Sequence, residues 1–443
     1  LGQLTIGTAH FLDAGSSAWD LAGTGTVFVE NGTFLEDTST VRYSGAGATL
    51  RSTDYYNLLL EAGAGSATYT AAATGFQTLG DLVVGGAATS TLTLTTNDPS
   101  VQVIGDVRIE TNGSLIASNS AALTVRGDWN NDGTFTSSAG TVRFTGAGSS
   151  NIAAGNSSFA AVEIDGTGIY TVSEHATATI AWRLISHDLF TVASGQNLAV
   201  GGDFLNNIAG TDTVWTGTNL ILYGVGTYDI NDSATSDVYE TLTIASGTHA
   251  RMWNSSAATY AVASNGSLYS QDHAAVDGDL YVYGNLLRAT GDDYWSYDTD
   301  FDGTDLTGGN ERAAKVYFAS GATGLWTGGS LSVIGTTSAS TTIENQGAGT
   351  FGLTIGGTAT TEWSNVSIRD INATGVNFTG TPTVVDFSYT DHLVEINSGS
   401  AITVAGATID ANPAKNFTNN VFAESGGVTA PKNVSATGSS VSS

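Results

Sequence analysis

Short alternations of apolar and polar residues run through the whole chain. TVRY at 40–43, LTV at 123–125 and TVRF at 141–144 are typical, and each run ends at Gly, Asn, Asp, Ser or Thr. A period of two places successive side chains on opposite faces of a β-strand, and the residues after each run favour turns. The pattern predicts an all-β chain of many short strands. Even the most helix-like stretch, 176–190, is predicted as a strand because it alternates from Thr177 to Leu184.

The strand units recur in a fixed order. NGTF at 31–34 returns as DGTF at 132–135, and VRYSGAG at 41–47 returns as VRFTGAG at 142–148, both 101 residues later. A third copy begins with LILYGVG at 220–226. A second motif with a central glycine appears four times, at 101–107, 123–129, 198–204 and 280–286. Because several distinct units repeat in the same order, the pattern indicates a repeat architecture.

Repeated strands without helices leave sandwich arrays, propellers and β-solenoids as candidate folds. Neighbouring units lie about 20–25 residues apart, which fits one solenoid turn of two or three strands. Sandwich arrays normally have linkers at their boundaries, whereas the pattern here continues to about residue 425. We therefore predict a right-handed parallel β-helix, a β-solenoid, over 1–425, with tandem β-sandwich domains as the alternative. Its inward positions are predicted to hold Phe34, Tyr43, Phe135, Phe144, Tyr223 and Phe318.

The amino-acid composition argues against several classes of function. The 443 residues include no Cys, which excludes disulfides and thiolate metal sites. Lys and Arg number 13 against 41 Asp and Glu, for a net charge of −28, so nucleic acid and anionic membrane surfaces are poor partners. No apolar run approaches the ~18 residues that a membrane span needs. The scarcity of Lys and Arg also suits a secreted, extracellular or cell-surface protein.

The most specific local signal is the acidic stretch DTDFDG at 298–303. Alternate Asp residues that end in Gly can direct several carboxylates at one hard cation, as in calcium-binding loops. The twelfth position is Gly309 instead of Glu, so a solvated acidic loop is the alternative. With the aromatic residues Tyr294, Trp295 and Tyr297, this stretch predicts an insertion near 289–312. These aromatic side chains are interpreted as loop packing, with a glycan-contacting surface as the alternative. The candidate calcium ligands are Asp298, Asp300, Asp302, Asp305 and Glu311.

Few residues along the chain have the types and spacing that a catalytic site needs. Glycoside hydrolysis needs two carboxylates that flank a bond. Asp386, Asp391 and His392 form the one mildly suggestive cluster, which is predicted to be a turn. We predict no enzymatic activity and no required cofactor, with a polysaccharide-acting β-helix enzyme as the least favoured alternative. The recurrent Gly-Asp pairs are predicted to form turns, because a catalytic carboxylate is needed once; they contain Asp81, Asp106, Asp128, Asp203 and Asp279.

The run at 127–148, followed by Phe159-x-x-Val162-x-Ile164, carries a family resemblance. It resembles the repetitive β-helix segments of large secreted bacterial surface and adhesin-like proteins. The resemblance implies an extracellular, largely structural stalk and transfers no functional residues. The end of the chain, 431–443, resembles the first strand of a fibronectin type III domain. Residues 426–443 are therefore predicted to be an extended tail or linker, or the start of a further domain.

Two functions follow as expectations. The first is a structural subunit that self-associates through its solenoid ends and terminal tails into a filament, sheath or surface layer, since an exposed strand edge templates pairing with another chain. The second is a monomeric adhesin stalk whose 289–312 segment binds glycan or a host surface.

Overall fold

The computed structural model divides into two compact units, Leu1–Val200 and Gly201–Ser443. It describes residues 1–206, 212–223, 226–232, 238–244, 248–254, 259–270, 279–282, 285–288, 292–295, 315–335, 340–345, 347–393, 399–412, 417–422 and 432–438.

The strands of the first unit are short. They are β1 Leu4–Ile6, β2 Phe11–Asp13, β3 Ala18–Leu21, β4 Phe28–Glu30, β5 Thr33–Leu35, β6 Thr40–Tyr43, β7 Gly47–Leu50, β8 Asp54–Tyr55, β9 Asn57–Leu60, β10 Ser66–Ala71, β11 Phe76–Thr78, β12 Leu82–Val84, β13 Thr89–Thr93, β14 Val101–Val103, β15 Val107–Ile109, β16 Gly113–Ile116, β17 Leu123–Val125, β18 Trp129–Asn131, β19 Thr134–Thr136, β20 Thr141–Phe144, β21 Ser149–Ala153, β22 Phe159–Asp165, β23 Ile169–Val172, β24 Ala176–Ser186, β25 Leu189–Val192 and β26 Asn197–Val200.

The second unit contains strands and one short helix. Its elements are β27 Asp203–Asn206, β28 Thr213–Val214, β29 Asn219–Leu222, β30 Gly226–Asp232, β31 Val238–Ile244, β32 Thr248–Asn254, β33 Thr259–Ser270, β34 Asp279–Val282, β35 Asn285–Arg288, β36 Asp292–Trp295, β37 Lys315–Phe318, β38 Thr323–Trp326, β39 Ser330–Ile334, β40 Thr341–Asn345, β41 Phe351–Ile355, β42 Thr360–Arg369, β43 Ile371–Phe378, β44 Thr383–Leu393, β45 Ser400–Ala405, α1 Gly406–Ala411, β46 Phe417–Thr418, β47 Val421–Phe422 and β48 Lys432–Thr437.

The strands stack in parallel, and the described turns number about 13. The predicted β-solenoid is thereby confirmed, and 176–190 contains a strand, β24, as expected. Its right-handedness stays a prediction. In the first unit Leu82 pairs with Val107 and Tyr170 pairs with Phe190, partners 25 and 20 residues apart. One turn therefore has the length that the sequence predicts.

Three sheets form the sides of the first unit. We call the sheet β3-β6-β9-β12-β15-β18-β21-β23-β25 face 1, the sheet β7-β10-β13-β16-β19 face 2, and the sheet β8-β11-β14-β17-β20-β22-β24-β26 face 3. Each turn from β6 to β20 contributes one strand to each face. After β19 face 2 ends, so each later turn of this unit has two strands.

Some turns of the second unit are longer than those of the first. Val316 pairs with Ile343, 27 residues on, whereas Asp279 pairs with Lys315, 36 residues on. The longer turn contains the predicted insertion, but its first part belongs to the solenoid because Trp295 lies in β36 and is fully buried. Trp295 therefore packs in the interior, and the alternative that its side chain contacts glycan is wrong. Its ring packs against Phe318 and Trp326.

The interior is apolar and aromatic. Five of the six aromatic residues predicted to face inward are buried: Phe34, Tyr43, Phe135, Phe144 and Phe318. The sixth, Tyr223, is half-buried. Most of the described ring pairs meet edge to face, as in Trp129–Phe135, whose centroids are 4.9 Å apart at 82°. This geometry suits the ring quadrupoles and adds about 0.5–1.5 kcal/mol per pair to the burial of apolar area.

The 101-residue repeat does not return to the same face. TVRY forms β6 on face 1, whereas its copy TVRF forms β20 on face 3, because fourteen strands are not a whole number of three-strand turns. The local packing is nevertheless repeated. The hydroxyl of Tyr69 donates to the carbonyl of Gly45 at 3.1 Å, and that of Tyr170 donates to the carbonyl of Gly146 at 2.6 Å.

These buried tyrosines make the fold sensitive to alkali. Burial raises the pKa of Tyr43, Tyr69 and Tyr170 from 10.0 to about 12, and it also raises that of Tyr55. Since the folded state holds the phenolic proton more tightly than the unfolded state, this stabilisation is complete below pH 10 and is lost as the pH rises to about 12. We expect phenolate absorbance and far-UV circular dichroism to change together in that interval. Full ionisation of all 16 tyrosines with an unchanged dichroism spectrum would contradict this expectation.

Candidate functional site

The candidate calcium ligands Asp298, Asp300, Asp302, Asp305 and Glu311 all lie outside the described residues, and their role stays a prediction. Among the residues that the structure does describe, no group of three or more His, Asp or Glu side chains is placed to hold a metal ion.

A ladder of Asx side chains runs along the start of the face 1 strands. The Oδ1 atom of Asp81 accepts the backbone N–H of Asp106 at 3.0 Å, and that of Asp106 accepts the N–H of Asp128 at 2.9 Å. At the two ends, Asn57 Oδ1 accepts the N–H of Asp81 at 2.9 Å, and Asp128 Oδ1 accepts the backbone N–H of Asn151 at 2.8 Å. Each side chain thus satisfies a donor on the following turn. The structural role predicted for Asp81, Asp106 and Asp128 is confirmed, and the ladder adds a specific partner to each of them.

Steric contacts explain why a glycine precedes each aspartate of the ladder. A Cβ atom on Gly127 would lie 2.5 Å from Asp106 Oδ1, and one on Gly105 would lie 2.6 Å from Asp81 Oδ1. The carboxylate of one turn therefore occupies the space where the next turn would place a side chain. This explains why Gly and Asp recur as a pair.

Arginines on the outer surface join acidic residues of neighbouring turns. Arg143 contacts Glu163 at 2.7 Å, and Arg183 contacts the same carboxylate at 3.3 Å. Arg108 lies 3.4 Å from Asp81 and 2.9 Å from Asp106. These pairs are half-exposed, so each contributes no more than about 1 kcal/mol. We therefore interpret them as surface ion pairs that link neighbouring turns.

The cluster Asp386, Asp391 and His392 lies within one long strand, β44. The register pairs Asp386 with Glu362 and His392 with Ile368 of β42. The predicted turn is therefore wrong: Phe387, one residue beyond Asp386, is buried in the apolar interior, and this burial holds the segment in the ladder. The carboxylate of Asp386 accepts a hydrogen bond from the Ser388 hydroxyl at 2.7 Å.

Face 3 has a shallow polar groove that crosses three turns. It measures about 370 Å³, and Asp54, Gln77 and Gln102 stand in register along it. One carboxylate and two amides offer hydrogen-bond donors and acceptors to a small polar ligand.

Face 2 presents hydroxyl groups in rows, a feature that the sequence analysis missed. The outward side chains include Thr68 and Thr70 of β10, Thr91 of β13, and Thr134 and Thr136 of β19. The register aligns Thr68 with Thr91, which pairs in turn with Ser114 and, one turn further on, with Thr134. The signal in the sequence was Thr-x-Thr, repeated within strands about one turn apart.

An apolar cavity lies beside the last described strand, β48. It measures about 500 Å³, and its lining is Ile402, Val404, Ile409, Asn412, Phe417, Asn419, Asn420, Val434 and Ala436. Three inward valine and isoleucine side chains form a column in register, Val376, Ile402 and Val434. The first two are 0% and 2% exposed, whereas Val434 is 52% exposed. The apolar interior is therefore open at this strand.

No protein-family model matches the sequence, and no curated protein or solved structure is significantly similar to it. Within the described part of the chain, every helix is too short or too polar to span a membrane.

Proposed function

We propose that this chain is an extracellular structural protein, a β-solenoid subunit that associates end to end into a filament, sheath or surface layer. The observation that carries the proposal is the open apolar column at β48. Burying a valine side chain stabilises by about 1.5–3 kcal/mol, and a further stacked strand would bury Val434. Unpaired strand edges also template pairing with a second chain.

The complementary surface is the first turn of a second copy. In the described part of the chain, β1, β2 and β3 each pair on one side, with β4, β5 and β6. Leu1 and Phe11 are 60% and 61% exposed at this edge. Because the two edges differ, their contact is head to tail, and such a contact produces an open filament when its rotation does not close a ring.

The net charge of −28 and the small number of Lys and Arg residues support a location outside the cell. The resemblance to bacterial surface and adhesin-like proteins supports the same setting.

The test compares two lysine substitutions on β48. Val434→Lys places a charge at the open column, while Ser435→Lys places the same charge on the outward side of the same strand. We expect the sedimentation coefficient of the wild type and of Ser435→Lys to rise with concentration, and that of Val434→Lys to stay at the monomer value. A wild type that stays monomeric at every concentration would refute assembly and favour the monomeric adhesin stalk. Equal loss of association in both variants would refute the role of the column.

A further inference from the structure

Face 2 carries its hydroxyl groups on a regular two-dimensional grid. Adjacent strands of a sheet are about 4.8 Å apart, and alternate residues along one strand are about 6.7 Å apart. Threonine is branched at Cβ and stiff at χ1, so its hydroxyl and methyl groups repeat at the spacing of the backbone. The exposed or half-exposed members are Thr49, Ser66, Thr68, Thr70, Thr89, Thr91, Ser114, Thr134 and Thr136. Thr93 and Ile116 stand in the row that joins Thr70 to Thr136. Thr93 is 9% exposed and bonds to Thr95 instead, and Ile116 is a half-exposed apolar side chain, so this row lacks an outward hydroxyl at both positions.

The strands of the other two faces carry charged side chains. Face 1 carries Arg42 and Arg108, and face 3 carries Arg143 and Glu163. The strands of face 2, all of which the structure describes, contain no Asp, Glu, Lys or Arg. The aromatic rings of these strands, Tyr69 and Phe135, are buried in the interior. The strands of face 2 therefore present a neutral outer surface without aromatic side chains, while acidic residues such as Glu61 and Asp132 lie in the turns beside them.

A ligand that contacts many members of such a grid must itself be periodic and uncharged. We propose that face 2 binds the surface of an ice crystal. Water molecules of the lattice exchange hydrogen bonds with the hydroxyl rows, and the methyl groups fill the spaces between them. Hydrogen bonds through ordered water are nearly as favourable as direct ones, and simultaneous contacts on one rigid body add through effective concentration. The absence of charge matches a lattice of neutral molecules.

A crystalline polysaccharide is also periodic and neutral. The apolar faces of sugar rings pack well on aromatic rings, however, and face 2 presents none to solvent. The geometry therefore favours water over sugar.

The test measures the partition of the full chain into a slowly growing ice crystal and its effect on ice recrystallisation. Thr91→Lys puts a charge in the middle of the grid. Thr171→Lys puts the same charge on face 1, at a half-exposed outward position between Asn151 and Thr191. We expect the wild type and Thr171→Lys to enter ice and to slow recrystallisation, and Thr91→Lys to lose both effects with its melting temperature retained. Thr134→Lys, at an exposed position on β19, replaces Thr91→Lys if that variant fails to fold.

Three results would overturn the proposal. They are exclusion of the wild type from ice, equal loss of ice binding in Thr171→Lys, and binding of the wild type to microcrystalline cellulose or chitin without binding to ice. The monomeric variant Val434→Lys is expected to enter ice like the wild type, so that failure of end-to-end assembly and failure of ice binding remain distinguishable.

Discussion

Replacing Trp129 by alanine is expected to lower the free energy of unfolding by about 3–5 kcal/mol, the range for a fully buried aromatic side chain. The Trp129 ring lies on β18 of face 1 and is fully buried. It contacts Phe135 of face 2 and Phe144 of face 3, with centroids 4.9 and 6.4 Å away. It also reaches Phe159 of the next turn at 5.4 Å. One ring therefore joins all three sides of a turn to its neighbour.

A solenoid offers few ways to refill such a cavity, because each turn contacts only the turns beside it. The measurement is the denaturant midpoint followed by far-UV circular dichroism. Trp129→Phe is the graded control: it keeps most of the ring contacts and removes an indole N–H that has no hydrogen-bond partner, so its loss is expected to be smaller. Phe11→Ala, at a side chain 61% exposed, is expected to change stability by less than about 0.5 kcal/mol. A Trp129→Ala midpoint equal to that of Phe11→Ala would contradict the role of the ring.

The sequence predicts the fold class because two local signals agree with the long-range packing. Alternation with a period of two marks which side chains enter the interior, and five of the six aromatic residues predicted there are buried. The spacing of the strand units gives the turn length, which Leu82 and Val107 show directly. Both signals come from residues within one turn, so they can be recognised in the sequence before the pairing of the strands is known.

The assignment of strands to faces could not be predicted in the same way. Whether a turn has two strands or three depends on where the chain bends, and face 2 ends after β19 without a marked change in composition. For this reason the rows that join Thr68, Thr91 and Thr134 are invisible until the register is known. Copies 101 residues apart even lie on different faces, so sequence repetition alone would place them incorrectly.

Site predictions failed for a related reason. Trp295 lies next to an acidic, loop-like stretch, yet it occupies an inward position of β36. The segment around Asp386 reads as a turn because it is polar, yet it lies in a strand eleven residues long. In both segments a buried aromatic side chain, Trp295 or Phe387, holds the backbone in a strand. The structural role of Asp81, Asp106 and Asp128 was assigned correctly because their recurrence signals a role at every turn. Asp203 and Asp279, which were also predicted to form turns, are instead the first residues of β27 and β34.

Replacing Gly127 by alanine is expected to lower the free energy of unfolding by about 1–3 kcal/mol, the range for overpacking a close-packed site. The new methyl group would lie 2.5 Å from both Asp106 Oδ1 and the carbonyl oxygen of Gly105. Movement of the carboxylate would relieve the contact with Asp106 but not the contact with the backbone of Gly105. The same carboxylate oxygen also accepts the N–H of Asp128, and a lost acceptor leaves a half-buried donor unsatisfied. Steric strain and loss of the ladder bond are therefore two costs of the same substitution.

Gly148→Ala is the matched control for Gly127→Ala. No atom lies within 4 Å of a Cβ placed on Gly148, and its φ lies outside the left-handed region. Because alanine restricts the unfolded chain more than glycine does, this variant is expected to be as stable as the wild type or more stable by about 0.4–1 kcal/mol. Thermal and denaturant unfolding of the two variants, measured side by side, separate a glycine required by the ladder from one that is merely tolerated at a turn. Equal stability of the two variants would mean that the Asx ladder moves aside without cost, and that the pairing of Gly with Asp has another cause.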